Sequence, residues 1–230
     1  MQLQLSRGLD QGHHVRQGTE WLALSDAGAH TVPLTYAAFE FRLAVERLAM
    51  QYLGEVRGRP PEAKDLEDLR TYKTMERLIY KLGGHQQMIN GHFSFMRLVM
   101  SLLKIEQKIV TPDFGKMSNQ WHTCSNLCHI GGILFLQDSD FVRSAFEELS
   151  AIGEALEEQV SGQITWPNIT DDGFRALRTG FIEGSITSDD VFSSLKKIGI
   201  WAAVTVPDKE GWTPVGEPII PDPPSGPATA

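Results

Sequence analysis

The chain has 230 residues, of which 41% are hydrophobic, 22% charged and 9% aromatic, and it carries a formal net charge of −8. These proportions exclude a disordered or fibrous chain and predict an ordinary globular protein with a sizeable core. The acidic balance argues against an even basic coat for duplex DNA, leaving room only for a local basic groove. Two cysteines, Cys124 and Cys128, cannot build a disulfide framework. The opening MQLQLSRGLDQGHH lacks the apolar core of a signal peptide, and no stretch is apolar for long enough to predict a membrane span. A reduced, intracellular and cytoplasmic protein without membrane contact is the expectation.

Residues 1–34 are mixed, with a short apolar piece at Trp21–Leu24 ahead of a loop ending at Pro33. Thr35 to Gly54 reads as a helix, with Thr35 as cap and Gly54 as stop. The loop 54–61 (GEVRGRPP) leads to a charged run over 62–71 that opens a second helical stretch, continued through Met75, Leu78, Ile79 and Leu82 to Gly83–Gly84. A third helix is expected from His85 to Lys108, with His85 and His92 at its surface. Thr111-Pro112-Asp113 marks a turn before a helix over 117–130 that ends at Gly131–Gly132.

Ser139 or Asp140 caps a fifth helix, in which Val142, Ala145, Leu149, Ile152 and Leu156 recur at near-heptad spacing. That stripe suits either a dimer seam or an amphipathic core helix. After the linker Trp166-Pro167-Asn168, two short helices are expected over 171–183, after Thr170, and 189–198, after Ser188, with Gly184 and Gly199 at their ends. Asp189 and Asp190 occupy the start of the second, where a DNA-reading helix would meet phosphates, so a packed helical hairpin is the reading. Residues 206–230 form a proline-rich tail, expected to be extended beyond Pro218.

Two helices carry the candidate chemistry. On residues 35–53, placed at about 100° per residue, Tyr36, Phe39, Leu43 and Met50 form one apolar arc, and Phe41, Val45, Leu48 and Tyr52 with several alanines form another. Apolar surface on both sides predicts a helix inside a bundle. Glu40, Arg42, Glu46 and Arg47 lie between the arcs, with Arg42 and Glu46 spaced to pair at i,i+4. These charges either satisfy one another at the bundle edge or project into a cleft to meet a phosphate or polar partner.

On KMSNQWHTCSNLCHIGG (116–132), Ser118, Asn119, His122, Ser125, Asn126 and His129 share an arc of about 120° on a helical wheel. A polar face without formal charge suits a semi-buried cleft or interface, and imidazoles titrating near neutrality can exchange protons with a substrate. A zinc site is not expected, because the two cysteines point away from His129 on one continuous helix. Phosphate-loop, dinucleotide-binding, nucleophile-elbow and kinase motifs do not occur in the sequence.

The arginine- and glutamate-bearing helix YAAFEFRLAVERLAMQYLG (36–54), two further long helices and a tryptophan-led helix ending in LCH together resemble the HEPN superfamily over residues 35–160. The resemblance implies a helical bundle, often dimeric, in which many members are metal-independent RNases of toxin–antitoxin and phage-defence systems. Their shared cleft uses an arginine to hold the scissile phosphate and a histidine, separated from it by four to six intervening residues, to manage the proton. His129 matches that histidine, but His122, Thr123 and Cys124 stand where the arginine belongs. On the resemblance, His129 would be the acid/base. His122, Asn126 and Ser125 would contact phosphate or 2′-hydroxyl, and Arg42 or Arg47, with Glu46 beside them, would supply the electrostatic partner.

The fold expected is all-α: an up-and-down four- or five-helix bundle (35–160) after an N-terminal segment (1–34), with a small helical extension (161–205) and a proline-rich tail (206–230). The function expected is a HEPN-like RNase or RNA-binding protein that needs neither metal nor cofactor, with RNA, a second copy or another protein as partner. The alternative is a non-catalytic interaction or dimerisation module.

Overall fold

The computed structural model describes residues 2–6, 12–57, 71–106, 108–129, 139–160, 169, 171–205 and 212–220. In chain order the elements are β1 (Gln2–Ser6), α1 (His13–Leu24), α2 (Thr31–Arg57), α3 (Tyr72–Gly83), α4 (Gln86–Leu102), α5 (Phe114–Cys128), α6 (Ser139–Val160), α7 (Asp172–Ile182), α8 (Ser188–Ile198), β2 (Ile200–Thr205) and β3 (Trp212–Ile219). The protein is predominantly α-helical, as its periodicity predicts. No helix among the described residues is long and apolar enough to cross a membrane.

The chain divides into two compact units. The first, Gly8–Gln86 with Val110–Gln163, holds α1, α2, α3, α5 and α6. Its axis is α2, against which all four other helices pack. One arc of α2 is buried: Phe41, Val45, Leu48 and Tyr52 sit in the core with Ala37, Ala38, Ala44 and Ala49. The other arc is not, which corrects the expectation of a helix enclosed on both sides: Tyr36 and Phe39 are exposed. Four neighbours cover only the alanine-rich side, where small side chains let them approach closely.

The α2 boundaries also differ from expectation. Thr35 lies within the helix, its hydroxyl donating to the Thr31 carbonyl (3.2 Å), and Pro33 sits in the first turn, where its missing N–H costs nothing. Gly54 is buried mid-helix and does not end it, because the packing of Tyr52 and Leu53 outweighs a glycine's helix penalty of about 1 kcal/mol. The N-terminal piece read as mixed contains α1, whose Gly18 lies directly against Phe41. On α6 the stripe Val142, Ala145, Leu149, Ile152 and Leu156 is buried within the unit, as for a core helix.

The second unit, Met1–Arg7, Gln87–Ile109 and Ile164–Ala230, holds α4, α7, α8 and a three-stranded sheet. Helix α4 is buried over a broad face (Ile89, His92, Phe93, Phe95, Met96, Val99, Met100), so His92 is a core residue, 2% exposed, and not the surface histidine its polarity suggests. Phe95 packs on Phe174 and Phe181 of α7, with ring centroids 5.2 and 5.6 Å apart.

The caps of the last two helices shift by one residue from expectation. Asp171 accepts from the Phe174 N–H (2.8 Å), and Thr187 forms a reciprocal capping box with Asp190. Gly184 and Gly199 adopt positive φ (75° and 68°) at the expected stops.

The sheet corrects the reading of the C-terminus as a tail alone. β2 pairs parallel with β1 and antiparallel with β3. Pro214 and Pro218 are tolerated because β3 is an edge strand, where a missing N–H can face outward. Gly216, at φ 70°, lets the strand approach α4's exit so closely that a Cβ there would strike the Leu103 carbonyl oxygen, and the Glu217 N–H donates to that oxygen (2.6 Å). The charged run before Thr71, the Gly131–Gly132 stop, the 166–168 linker and the chain beyond Ile220 lie outside the described residues.

Candidate functional site

Where α2 meets α5, the i,i+4 spacing of Arg42 and Glu46 produces the expected pair: Arg42 Nε donates to Glu46 Oε1 at 3.1 Å. The same oxygen accepts from Trp121 Nε1 at 2.7 Å, and the Arg42 guanidinium lies 5.2 Å from the Trp121 ring centroid. Trp121 in turn stacks on Tyr72 of α3 (6.0 Å), whose hydroxyl donates to the Phe114 carbonyl (3.3 Å). One carboxylate thus satisfies a cation and an indole N–H together, and Arg42 is held by a side-chain pair and a cation–π contact. Arg47, one residue on from Glu46, is exposed.

The polar face of α5 divides. His122, Asn126 and His129, spaced four and three apart, are exposed. Ser125 is 6% exposed, and its hydroxyl has no hydrogen-bond partner among the described residues. The wheel places Ser125 with the histidines, but the packing of α5 against α2 covers that edge. His122 sits edge-on to Trp121 (5.1 Å) and interacts electrostatically with Glu76 of α3. His129 is the C-cap of α5, its backbone N–H donating to the Ser125 carbonyl (3.2 Å). The arrangement therefore joins Arg42 with Glu46, and His122 with Glu76, while His129 makes no side-chain hydrogen bond or ion pair among the described residues.

The thiols face inward. Cys124 is buried, and Cys128 directs its Sγ toward the Thr35 carbonyl (4.0 Å). Burial pushes the Cys128 thiol up to about 11, with Arg42 opposing part of the rise, and Cys124 is raised further by the same cause. A raised thiol pKa means almost no thiolate at neutrality. Iodoacetamide labelling followed by mass spectrometry should therefore be slow for Cys128 at pH 7.5 and accelerate only above about pH 10; rapid labelling at pH 7.5 in the folded protein contradicts this half-buried, inward placement. Among the described residues there is no group of three or more His, Cys, Asp or Glu side chains able to hold a metal.

A feature missed from sequence lies on α3. Thr71 caps the helix by accepting from the Thr74 N–H (3.2 Å). Beyond it, Lys73, Glu76, Arg77 and Tyr80 recur at i, i+3, i+4 and i+7 and line an open cleft of about 720 Å³ with His85 and Gln86. Gln86 fixes the floor: its Nε2 donates to the Pro112 carbonyl (2.7 Å), while its Oε1 accepts from the Phe114 N–H (3.3 Å) and the Tyr80 hydroxyl (3.4 Å). Burial raises the Glu76 carboxyl above its ordinary value, against the opposing pull of His122 and Lys73. The signal was present in the periodicity of α3's polar side.

Comparisons with protein-family models, with curated proteins and with solved structures return no match.

Proposed function

We propose that the chain is a non-catalytic helical interaction module that pairs with a second copy of itself through the outward arc of α2. The observation that carries this reading is the run Val32, Tyr36 and Phe39, 53%, 49% and 46% exposed on the longest helix among the described residues. Their spacing of four and three residues makes one continuous stripe. Leu24 of α1, 60% exposed, extends the exposed apolar set, and Trp21 stacks on Tyr36 with centroids 4.9 Å apart. Contiguous exposed apolar surface is uncommon on a monomer, and tyrosine, tryptophan and phenylalanine are the residues enriched where proteins meet.

A stripe along one helix is self-complementary under a two-fold axis, which lets one surface serve both partners. The engagement of Arg42 with Glu46 and Trp121 supports a non-catalytic reading, since the cation missing from α5 is not left available on α2 at that position.

Sedimentation of the purified chain should show a dimer that dissociates in the double variant Tyr36→Asp/Phe39→Asp while circular dichroism stays unchanged. Because each copy carries a net charge of −8, screening by added salt should strengthen the association. A wild-type chain that stays monomeric at high micromolar concentration, or a dimer indifferent to both substitutions, overturns the proposal.

A second reading, RNA binding or metal-independent cleavage of a toxin or defence type, is favoured by the exposed row His122, Asn126 and His129. Its test is labelled RNA incubated with the chain in EDTA beside His129→Ala: cleavage lost in the variant supports it, and identical traces remove it.

A further inference from the structure

We propose that the α3 cleft binds a small organic oxyanion, its charged head held between Lys73 and Arg77. This is independent of the α2 stripe, which shares no residue with it. The two cations are one helical turn apart on the same side of α3, so both reach one head group. Arg77 has no ion-pair partner among the described residues, and the same holds for His85, which lines the cleft beyond it. An arginine without such a partner, one turn from Lys73 on the wall of an open cleft, is suited to an anionic head group.

The open cleft, about 720 Å³, is within the size range of small-molecule sites. The Tyr80 and Gln86 side chains that floor it are mutually hydrogen-bonded and tied to the start of α5, so the site is largely formed before any ligand arrives. Glu76 is the one carboxylate among the described lining residues. Burial raises its carboxyl above the ordinary value while His122 and Lys73 pull it down, so Lys73 and Arg77 must outweigh its charge when an oxyanion binds. Thr71 and Thr74, whose hydroxyls bond to each other (2.9 Å), complete the polar wall.

Phosphate monoesters and polycarboxylates share the required chemistry. Titration calorimetry of the full chain at low salt, with inorganic phosphate in one arm and citrate in the other, distinguishes them. Saturable one-to-one binding, tighter for phosphate, assigns a phosphate ester; tighter binding of citrate assigns a carboxylate.

Lys73→Ala/Arg77→Ala should weaken binding by on the order of 10-fold or more, the scale of lost charge-assisted hydrogen bonds. Lys196→Ala/Lys197→Ala, on the exposed end of α8, should leave binding unchanged. In the wild-type chain the imidazole proton resonances of His85 should shift with saturation, a readout that needs no variant. Absence of binding in both arms, unmoved His85 resonances, or equal losses in the two double variants overturns the proposal.

Discussion

Replacing Phe41 by alanine is expected to lower the unfolding free energy by about 3–5 kcal/mol, the largest single effect anticipated in the first unit. The ring is fully buried and is gripped from two sides by glycines. A Cβ at Gly18 of α1 would lie 2.5 Å from Phe41 Cδ1, and one at Gly153 of α6 would lie 2.9 Å from Phe41 Cζ. Three helices therefore meet through one aromatic ring that fills the notch left by two absent side chains.

The glycines supply the sharper test. Glycine to alanine inside a helix ordinarily stabilises by up to about 1 kcal/mol. At Gly18 the sign should reverse, because the added methyl has no room unless Phe41 moves and the core is already close-packed. Urea denaturation followed by circular dichroism and tryptophan fluorescence measures the effect, with Trp21 and Trp121 in this unit and the other three tryptophans in the second. Gly18→Ala should lower the midpoint, and Gly18→Ala combined with Phe41→Leu should recover part of the loss. A stabilised Gly18→Ala variant rules out the close contact.

The second large effect is expected at Glu46. Glu46→Ala removes the acceptor shared by Arg42 and the Trp121 indole, leaving a half-buried N–H and a guanidinium without their partner. The expected cost is about 1–3 kcal/mol. Glu46→Gln keeps an oxygen for Trp121 but forfeits the charge for Arg42, so it should recover most of that stability if the indole bond dominates. Trp121 emission should shift red in Glu46→Ala and stay near the wild-type position in Glu46→Gln. Equal stability of all three proteins means that the network contributes nothing and that Arg42 is available for another role.

The two sites differ in what could be read in advance. The Arg42–Glu46 pair follows from i,i+4 spacing alone, whereas the partner that gives it structural weight, Trp121, lies 75 residues from Glu46. Likewise the uncharged polar face of α5 was visible on a helical wheel, but the packing against α2 removed Ser125 from it and left His122, Asn126 and His129 outside. Spacing along one helix says which side chains share a side; it does not say where the neighbouring helix stops covering them. The α3 cleft illustrates the same limit, since Lys73, Arg77 and Tyr80 are periodic in sequence yet their floor, Gln86, depends on contacts with Pro112 and Phe114.

What the amino-acid order determined by itself was local: the helical class, most of the helices from their apolar periods, and the stops at Gly84, Gly184 and Gly199, where positive φ favours a residue without a Cβ. These properties depend on neighbours within one or two turns. Three outcomes needed the whole chain. His92 became a core residue because α4 is covered around most of its girth, and the proline-bearing segment 212–219 became a strand because β2 offered it an edge. Tyr36 and Phe39 stayed outside because the other helices of their unit packed on the alanine side of α2. In each case the deciding free energy comes from surface buried between segments far apart in sequence, a quantity that local spacing does not carry.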